Sequence, residues 1–398
     1  MQKKIRMLAG YAGLECLWEV LPEARLVGGC VRDLLAGREV HDMDLAVPCV
    51  PEETMRLLGE AGIRTIPTGL DHGTVTAVMD HRPYEITTLR RDVETDGRHA
   101  VVAWTDDWQE DAERRDFTIN ALSLDRNGQL YDYFGGQQDL KDGRVRFVGQ
   151  ARKRIEEDAL RALRFFRFQA RYGKGAPDSE ACMAVRECRA LVRFLSIERV
   201  VSELFKILEG PQLWDIMVLM EETGLLEEIL PHASLSSLRR LLDCQDPPHA
   251  LSRLFALDSD PDLGTYFRLS RLQCHVLKAY GQKEPALVAE AMDDELRRLR
   301  FRQDLPVLMA RSWLRQAEEV GQPSPSWSRF RERLAAQDQP VFPLTGRDGL
   351  ACGLVAGPEL GRWLKEVQAW WLEQGCRPEK EACLDWLRAR IALRSQNS

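Results

Sequence analysis

Short runs of alternating apolar and polar residues fill the first third of the chain, and helical spacing takes over after it. Leu14, Leu17, Trp18 and Leu21 share one face of a helix. Glu15 and Glu19 interrupt the apolar run, so the N-terminus reads as an amphipathic helix rather than a secretory leader. Leu26 to Val47, LVGGCVRDLLAGREVHDMDLAV, then reads as an apolar strand, a glycine turn at Gly28-Gly29, a short helix over Val31 to Leu35, and a second strand at Leu45-Ala46-Val47. Pro51 to Gly62 has a helical pattern. Gly73 to Met79 and Tyr84 to Leu89 are rich in β-branched residues and flank the turn signal Asp80-His81-Arg82-Pro83, which predicts a hairpin. Arg90 to Trp108 starts polar, contains Gly97, and reads as a mobile loop leading into a short strand at Ala100 to Trp104. Leu122 to Phe134, centred on Asp125-Arg126-Asn127-Gly128, predicts a further hairpin.

Beyond residue 140 the pattern is helical. Glu156 to Arg171, EEDALRALRFFRFQAR, has no Gly or Pro and predicts one continuous helix. Leu160, Leu163 and Phe166 make its apolar stripe; Arg161, Arg164, Arg167 and Arg171 make a basic one. Leu195 to Leu208 is the next helix. From Gly210 the chain stays helical, punctuated by Pro211, Gly224 and Pro231, with Asp246-Pro247-Pro248 as a linker and Gln322 to Trp327 as a loop. The fold class is α+β: a mixed sheet with helices first, then helices alone.

Composition narrows this picture. A chain of 398 residues is too long for one core and implies two to four domains. The net charge of −7 carries no nucleic-acid signal by itself, yet residues 141–174 hold eleven basic against four acidic residues. Ten scattered cysteines include no C-x-x-C pair and no zinc spacing, which points to a reducing cytoplasm. No apolar run reaches the length of a membrane span, so no membrane role is expected.

Chemistry enters at Asp42 and Asp44. Residues two apart in a strand point the same way, and two carboxylates on one face repel unless a cation sits between them. Hard divalent cations take oxygen ligands. Backbone around Gly28 and Gly29 can approach a phosphate closely. Together these features suggest metal-dependent phosphoryl or nucleotidyl transfer. Glu85 alternates with Tyr84 and Ile86 and is placed to project toward the aspartates from a neighbouring strand. A D-x-D or a Gly-Gly alone is most often solvated surface or a plain turn.

The full arrangement, GG-x-x-R-D-x-L-x-G followed by H-D-x-D and an apolar strand, resembles the nucleotidyltransferase superfamily signature. It resembles most closely the class II tRNA nucleotidyltransferase and bacterial poly(A) polymerase family. Arg114 to Leu122 is similar to that family's RRDxTxNAL motif, and Glu157, Asp158 and Arg161 to its E-D-x-x-R motif. Asp132 to Gly136 resembles its hinge, with Tyr133 where proline is usual. Ser196, Glu198 and Arg199 resemble a motif that braces the neck, and Phe342 to Trp371 a tail that grips tRNA.

The resemblance implies a nucleotidyltransferase head (1–140), a helical neck (141–208), a helical body (209–290) and a tRNA-binding tail (291–398). It implies two Mg²⁺ ions on Asp42 and Asp44, with Glu85 completing the carboxylate set. Gly28, Gly29 and Arg32 would cradle phosphates, and Arg115, Asp116 and Asn120 would position ribose and triphosphate. Asp158 and Arg161 would read the base, supported by Glu157 and Arg164, and the loop at 90–108 would help switch base specificity. The implied activity is template-independent addition of C, C and A to tRNA from CTP and ATP. Rivals are poly(A) polymerase, a CC-only or A-only enzyme, and an RNA-binding protein with an inactive head. Nothing in the sequence specifies an oligomeric state.

Overall fold

The structure, a computed structural model, describes residues 2–8, 10–95, 100–247 and 249–396. Gly97 of the expected loop and Pro248 of the expected linker lie outside them. The chain forms two compact units, Met1–Ala233 and Ser234–Ser398.

The first unit is built on nine strands: β1 (Arg25–Val27), β2 (Asp44–Val47), β3 (Arg64–Gly69), β4 (Thr74–Met79), β5 (Arg82–Thr88), β6 (Arg90–Thr95), β7 (Ala100–Trp104), β8 (Leu122–Leu124) and β9 (Leu130–Asp132). Seven of them form one mixed sheet in the order β3-β4-β5-β2-β1-β8-β9. Only β2 and β5 pair in parallel. Their register sets Asp44 opposite Glu85 and Leu45 opposite Ile86. Leu26, Leu45, Val47, Ala77, Ile86 and Leu124 bury one face of the sheet with Leu14, Leu17 and Trp18 of the helix Tyr11–Val20, as the N-terminal pattern predicts. The predicted hairpin is present, but β5 starts two residues early. Asp80 (φ 49°) and His81 (φ 60°) make a two-residue turn with both central residues left-handed, which suits strand twist and leaves Arg82 and Pro83 to pair.

Two sequence expectations need correction. The segment from Arg90 does not begin as a loop: β6 pairs antiparallel with β7, from Arg90 opposite Trp104 to Thr95 opposite Ala100, and a helix Trp108–Glu113 follows. The continuous helix over 156–171 is two helices, Ala151–Glu157 and Leu160–Tyr172. Asp158 between them is extended (φ −151°, ψ 104°), its carboxylate Oδ1 accepts from Leu160 N (3.1 Å), and its carbonyl accepts from Arg161 N (3.0 Å). An aspartate that bonds the backbone two residues on offers the chain an alternative to the helix, and here that alternative wins. The apolar stripe of the second helix is as expected, with Leu163 and Phe166 fully buried.

The second unit is helical, from Leu235–Asp243 to Lys380–Gln396. One core gathers Leu296, Leu308, Trp327 and Phe330, and another Trp363, Val367, Trp371 and Leu387. In the basic run Arg297 to Arg302 the first two arginines cap a helix. Arg298 Nε and Nη2 donate to the carbonyls of Leu372 (2.6 Å) and Glu373 (2.9 Å), and Arg297 Nε donates to that of Gly375 (2.8 Å). These carbonyls lie at and just past the end of Pro358–Glu373, where a cation meets the negative end of the helix dipole. Among the described residues no helix is long and apolar enough to cross a membrane.

Candidate active site

A cavity of about 1000 Å³ opens in the first unit, walled by ten arginines and lysines against four carboxylates. It gathers ten of the thirteen predicted site residues: Gly28, Gly29, Arg32, Asp44, Arg115, Asp116, Asn120, Asp158, Arg161 and Arg164. Asp42, Glu85 and Glu157 stand outside its wall. The whole basic stripe of Leu160–Tyr172 faces it, since Arg167 and Arg171 line it too.

The carboxylates sit where β2 begins. Met43 is buried between the exposed Asp42 and the half-buried Asp44, so the alternation that puts the two aspartates on one side holds even though the regular strand starts only at Asp44. Burial and the neighbouring Glu85 push the Asp44 carboxyl up to about 6, with Arg115 opposing and Asp42 adding to the rise. That repulsion is what a divalent cation relieves. Among the described residues no three acidic, histidine or cysteine side chains converge as a ready metal cage. Asp42 and Asp44 are oxygen donors that would suit a hard divalent cation, with Glu85 adjacent to Asp44 in register.

Gly28 (φ 67°) turns the chain from β1 into the helix Gly29–Leu35. A Cβ at Gly28 would stand 2.8 Å from Arg115 Nη1, and its own N–H is spent on the Leu122 carbonyl (3.1 Å). Gly28 thus contributes open space beside Arg115 rather than a phosphate donor. Arg32 is also mostly committed inside the protein. Its Nε and Nη2 donate to Asp33 (3.2 and 2.9 Å), and its Nη1 to Asn120 Oδ1 (2.6 Å). Asn120 Nδ2 donates in turn to Asp116 Oδ1 (2.9 Å), and Arg164 Nε donates to Asp116 Oδ2 (2.7 Å). Burial opposes the Asp116 charge, yet Arg164 and the bonds from Asn120 and Phe117 N hold its carboxyl below the usual range.

The base-reading candidates lie at the helix break, each fixed by its own partner. Arg161 Nη1 donates to Glu157 Oε2 (2.7 Å), and its Nη2 to the Arg114 carbonyl (3.2 Å). Burial works against Glu157, but Arg161 and Arg154 outweigh it and keep its carboxyl below the usual range. Asp158 Oδ2 accepts from Arg199 Nη2 (2.8 Å), reaching over from the helix Ile197–Leu208.

Sequence reasoning missed Asp111. This aspartate is buried on the helix Trp108–Glu113, accepts from Arg114 Nε (2.8 Å) and Arg115 Nη2 (3.0 Å), and so aims two cavity arginines. Its signal was an acidic residue three and four positions before the arginine pair, the spacing at which helical side chains meet. Lys206 also lines the cavity, and no motif marks it.

Comparison with known proteins bears on this arrangement. The family described as "Poly A polymerase head domain" matches residues 24–146, and that described as "Probable RNA and SrmB- binding site of polymerase A" matches 176–235. Human mitochondrial CCA tRNA nucleotidyltransferase 1 is 35% identical over 402 residues, covering 94% of this chain and 90% of the human protein. This chain belongs to the CCA-adding tRNA nucleotidyltransferase family. The CCA-adding enzyme of Streptococcus sanguinis (strain SK36) is 34% identical over 89% of this chain and 90% of its own length. The Bacillus stearothermophilus CCA-adding enzyme, solved in complex with CTP, superposes with a TM-score of 0.75 at 28% identity, over 98% of this chain and all of that one. In this chain a carboxylate-bearing central strand and an arginine-lined helix share one cavity.

Proposed function

We propose that this protein adds C, C and A in turn to the 3′ end of tRNA, from CTP and ATP and without a template, releasing pyrophosphate. The observation that carries the reading is that Asp158 and Arg161, each locked by its own partner, face the same cavity as Asp44. A carboxylate there accepts from an exocyclic amino group, and a guanidinium donates to a ring nitrogen or carbonyl. C at position 4 and A at position 6 present an amino group on the pairing edge, whereas U and G present a carbonyl oxygen at those positions, which leaves a polar partner unmatched and is rejected.

Asp42 and Asp44, with Glu85 beside them, are the groups to hold two Mg²⁺ ions. Mg²⁺ bound there supplies Lewis acidity at the attacking 3′-hydroxyl and neutralises triphosphate charge. Arg115, aimed by Asp111, and the open backbone at Gly28 and Gly29 receive the triphosphate. Asp116 and Asn120 orient the ribose. Glu157 and Arg164 hold the base readers and the Asp116 carboxylate in place. The tRNA itself would lie along the helical remainder of the chain. A cytoplasmic setting, where thiols stay reduced, suits the ten unpaired cysteines.

The deciding experiment supplies Mg²⁺ and CTP, ATP or both to the pure protein. One substrate is tRNA ending at the discriminator base, and another is tRNA ending in CC. Addition that completes CCA and stops is expected. Unlimited A addition to many RNAs would instead make it a poly(A) polymerase. Activity on only one of the two tRNAs would mark a CC- or A-specialist, and no incorporation would leave an RNA-binding protein.

A further inference from the structure

The polar contacts described above form part of a closed circuit. Starting on Leu160–Tyr172, Arg164 donates to Asp116, Asn120 donates to Asp116, Arg32 donates to Asn120, and Arg32 donates again to Asp33. Tyr172 Oη then donates to Asp33 Oδ1 and returns the circuit to the same helix. Arg164 and Tyr172 lie eight residues apart, so their side chains emerge on one face about 12 Å apart along the axis. Phe168, four residues from each, fills the ring. The Arg32 guanidinium lies 5.1 Å from the Phe168 ring centre and 4.5 Å from that of Tyr172. Arg38 closes the same end, donating from Nη2 to the Arg171 carbonyl (2.7 Å) with its guanidinium 5.0 Å from the Tyr172 ring centre.

Every member of the circuit except Asp33 lines the cavity. Asp33 sits behind the wall. It takes two hydrogen bonds from Arg32 and one from Tyr172, and so fixes how the glycine-turn helix Gly29–Leu35 stands against Leu160–Tyr172.

We propose that Tyr172 is a positioning residue for nucleotide. Through Asp33 it sets the orientation of Arg32 and Asn120 and the width of the gap that receives the sugar and phosphates, a proposal that rests on the nucleotide-binding reading of this cavity. Tyr172 acts on the part common to every nucleotide, far from the base-reading break at Asp158, so its effect is blind to the base. Tyr172 and Asp33 act as one unit, because the tyrosine hydroxyl reaches Arg32 only through the Asp33 carboxylate.

The test is equilibrium dialysis of the full chain with labelled CTP and with ATP in Mg²⁺, for wild type, Tyr172→Phe, Asp33→Asn and the double variant. Tyr172→Phe keeps the ring and removes one hydroxyl. We expect Kd to rise about three- to tenfold, the size of one hydrogen bond, by the same factor for both nucleotides. The double variant should bind no worse than Asp33→Asn alone, as coupled residues do. Should Asp33→Asn fail to fold, Asp33→Glu takes its place in the cycle. A purely structural tyrosine would lower the melting temperature and the active fraction while leaving Kd unmoved, and that result overturns the proposal. So does a double variant whose loss is the product of the two single losses. Wild-type incorporation into tRNA is assayed alongside: incorporation with unchanged Kd in Tyr172→Phe removes the circuit and keeps the function, while a wild type that binds neither nucleotide removes both.

Discussion

Asp44 and Asp116 line one cavity, and their surroundings pull them in opposite directions. A carboxyl at about 6 rather than the ordinary 3.8 means that the ionised, metal-free folded state carries a penalty of up to about 3 kcal/mol at neutral pH. Asp44→Asn should therefore abolish nucleotide incorporation and yet raise the melting temperature of the metal-free protein at pH 7.5 by a few degrees. Melting in chelator beside a turnover assay checks both halves, and a lower melting temperature would mean that the repulsion is already relieved. Asp116 is the reverse case. Its depressed carboxyl stabilises the fold above the ordinary carboxylate range, and that contribution disappears as pH falls through the depressed value. Asp116→Asn should cost about 2–4 kcal/mol at pH 7 by stranding Arg164, and its urea midpoint should converge with wild type as pH falls below the ordinary carboxylate range. A gap that stays constant with pH would show that the Arg164 pairing contributes nothing.

At the scale of elements, the decisive feature is the break between Ala151–Glu157 and Leu160–Tyr172. It takes Asp158 out of the helix and hands it to Arg199. Arg199→Lys keeps the charge but loses the planar fork that seats a carboxylate. We expect kcat/KM for CTP and ATP to fall about tenfold and the preference for CTP over UTP to shrink, measured with single nucleotides. Unchanged discrimination would reduce Arg199 to a brace. The break also shows what the sequence conveyed. The strands of the head were legible because their β-branched residues alternate with burial. The basic stripe was legible because 3.6-residue spacing is hard to mistake. The break was not, since E-E-D-A-L reads equally as mid-helix and as a start, and only the partner forty-one residues on decides. β3 was illegible for another reason: RTIPTG is mostly exposed and carries Pro67, and a sheet edge is where a strand tolerates both. Ten of the thirteen predicted residues meet in one cavity, and they were legible because each motif is contiguous. Tyr172 was not, because its contact is with Asp33 of another segment, whereas Asp111 was missed although its arginine partners stand only three and four residues on.

Across the whole molecule, arginine does two kinds of work. In the first unit it concentrates positive charge around a cavity; in the second, Arg297 and Arg298 close the end of Pro358–Glu373. Arg298→Ala should destabilise the second unit by about 1–3 kcal/mol through two carbonyls left without their charged donor, while the affinity for CTP stays at the wild-type value. Thermal melting with parallel dialysis distinguishes this from a role in nucleotide binding, which would move Kd. The first unit is also stitched together by long connections. Leu26 pairs with Leu124, Asp44 with Glu85, Asp33 with Tyr172, and Asp158 with Arg199. On the ribosome, where a chain emerges from its N-terminus, Asp42 and Asp44 at the start of β2 appear early and wait for partners made much later. A nascent or prematurely ended chain shorter than about two hundred residues therefore carries Asp42 and Asp44 without the cavity wall that Arg199 and Lys206 complete.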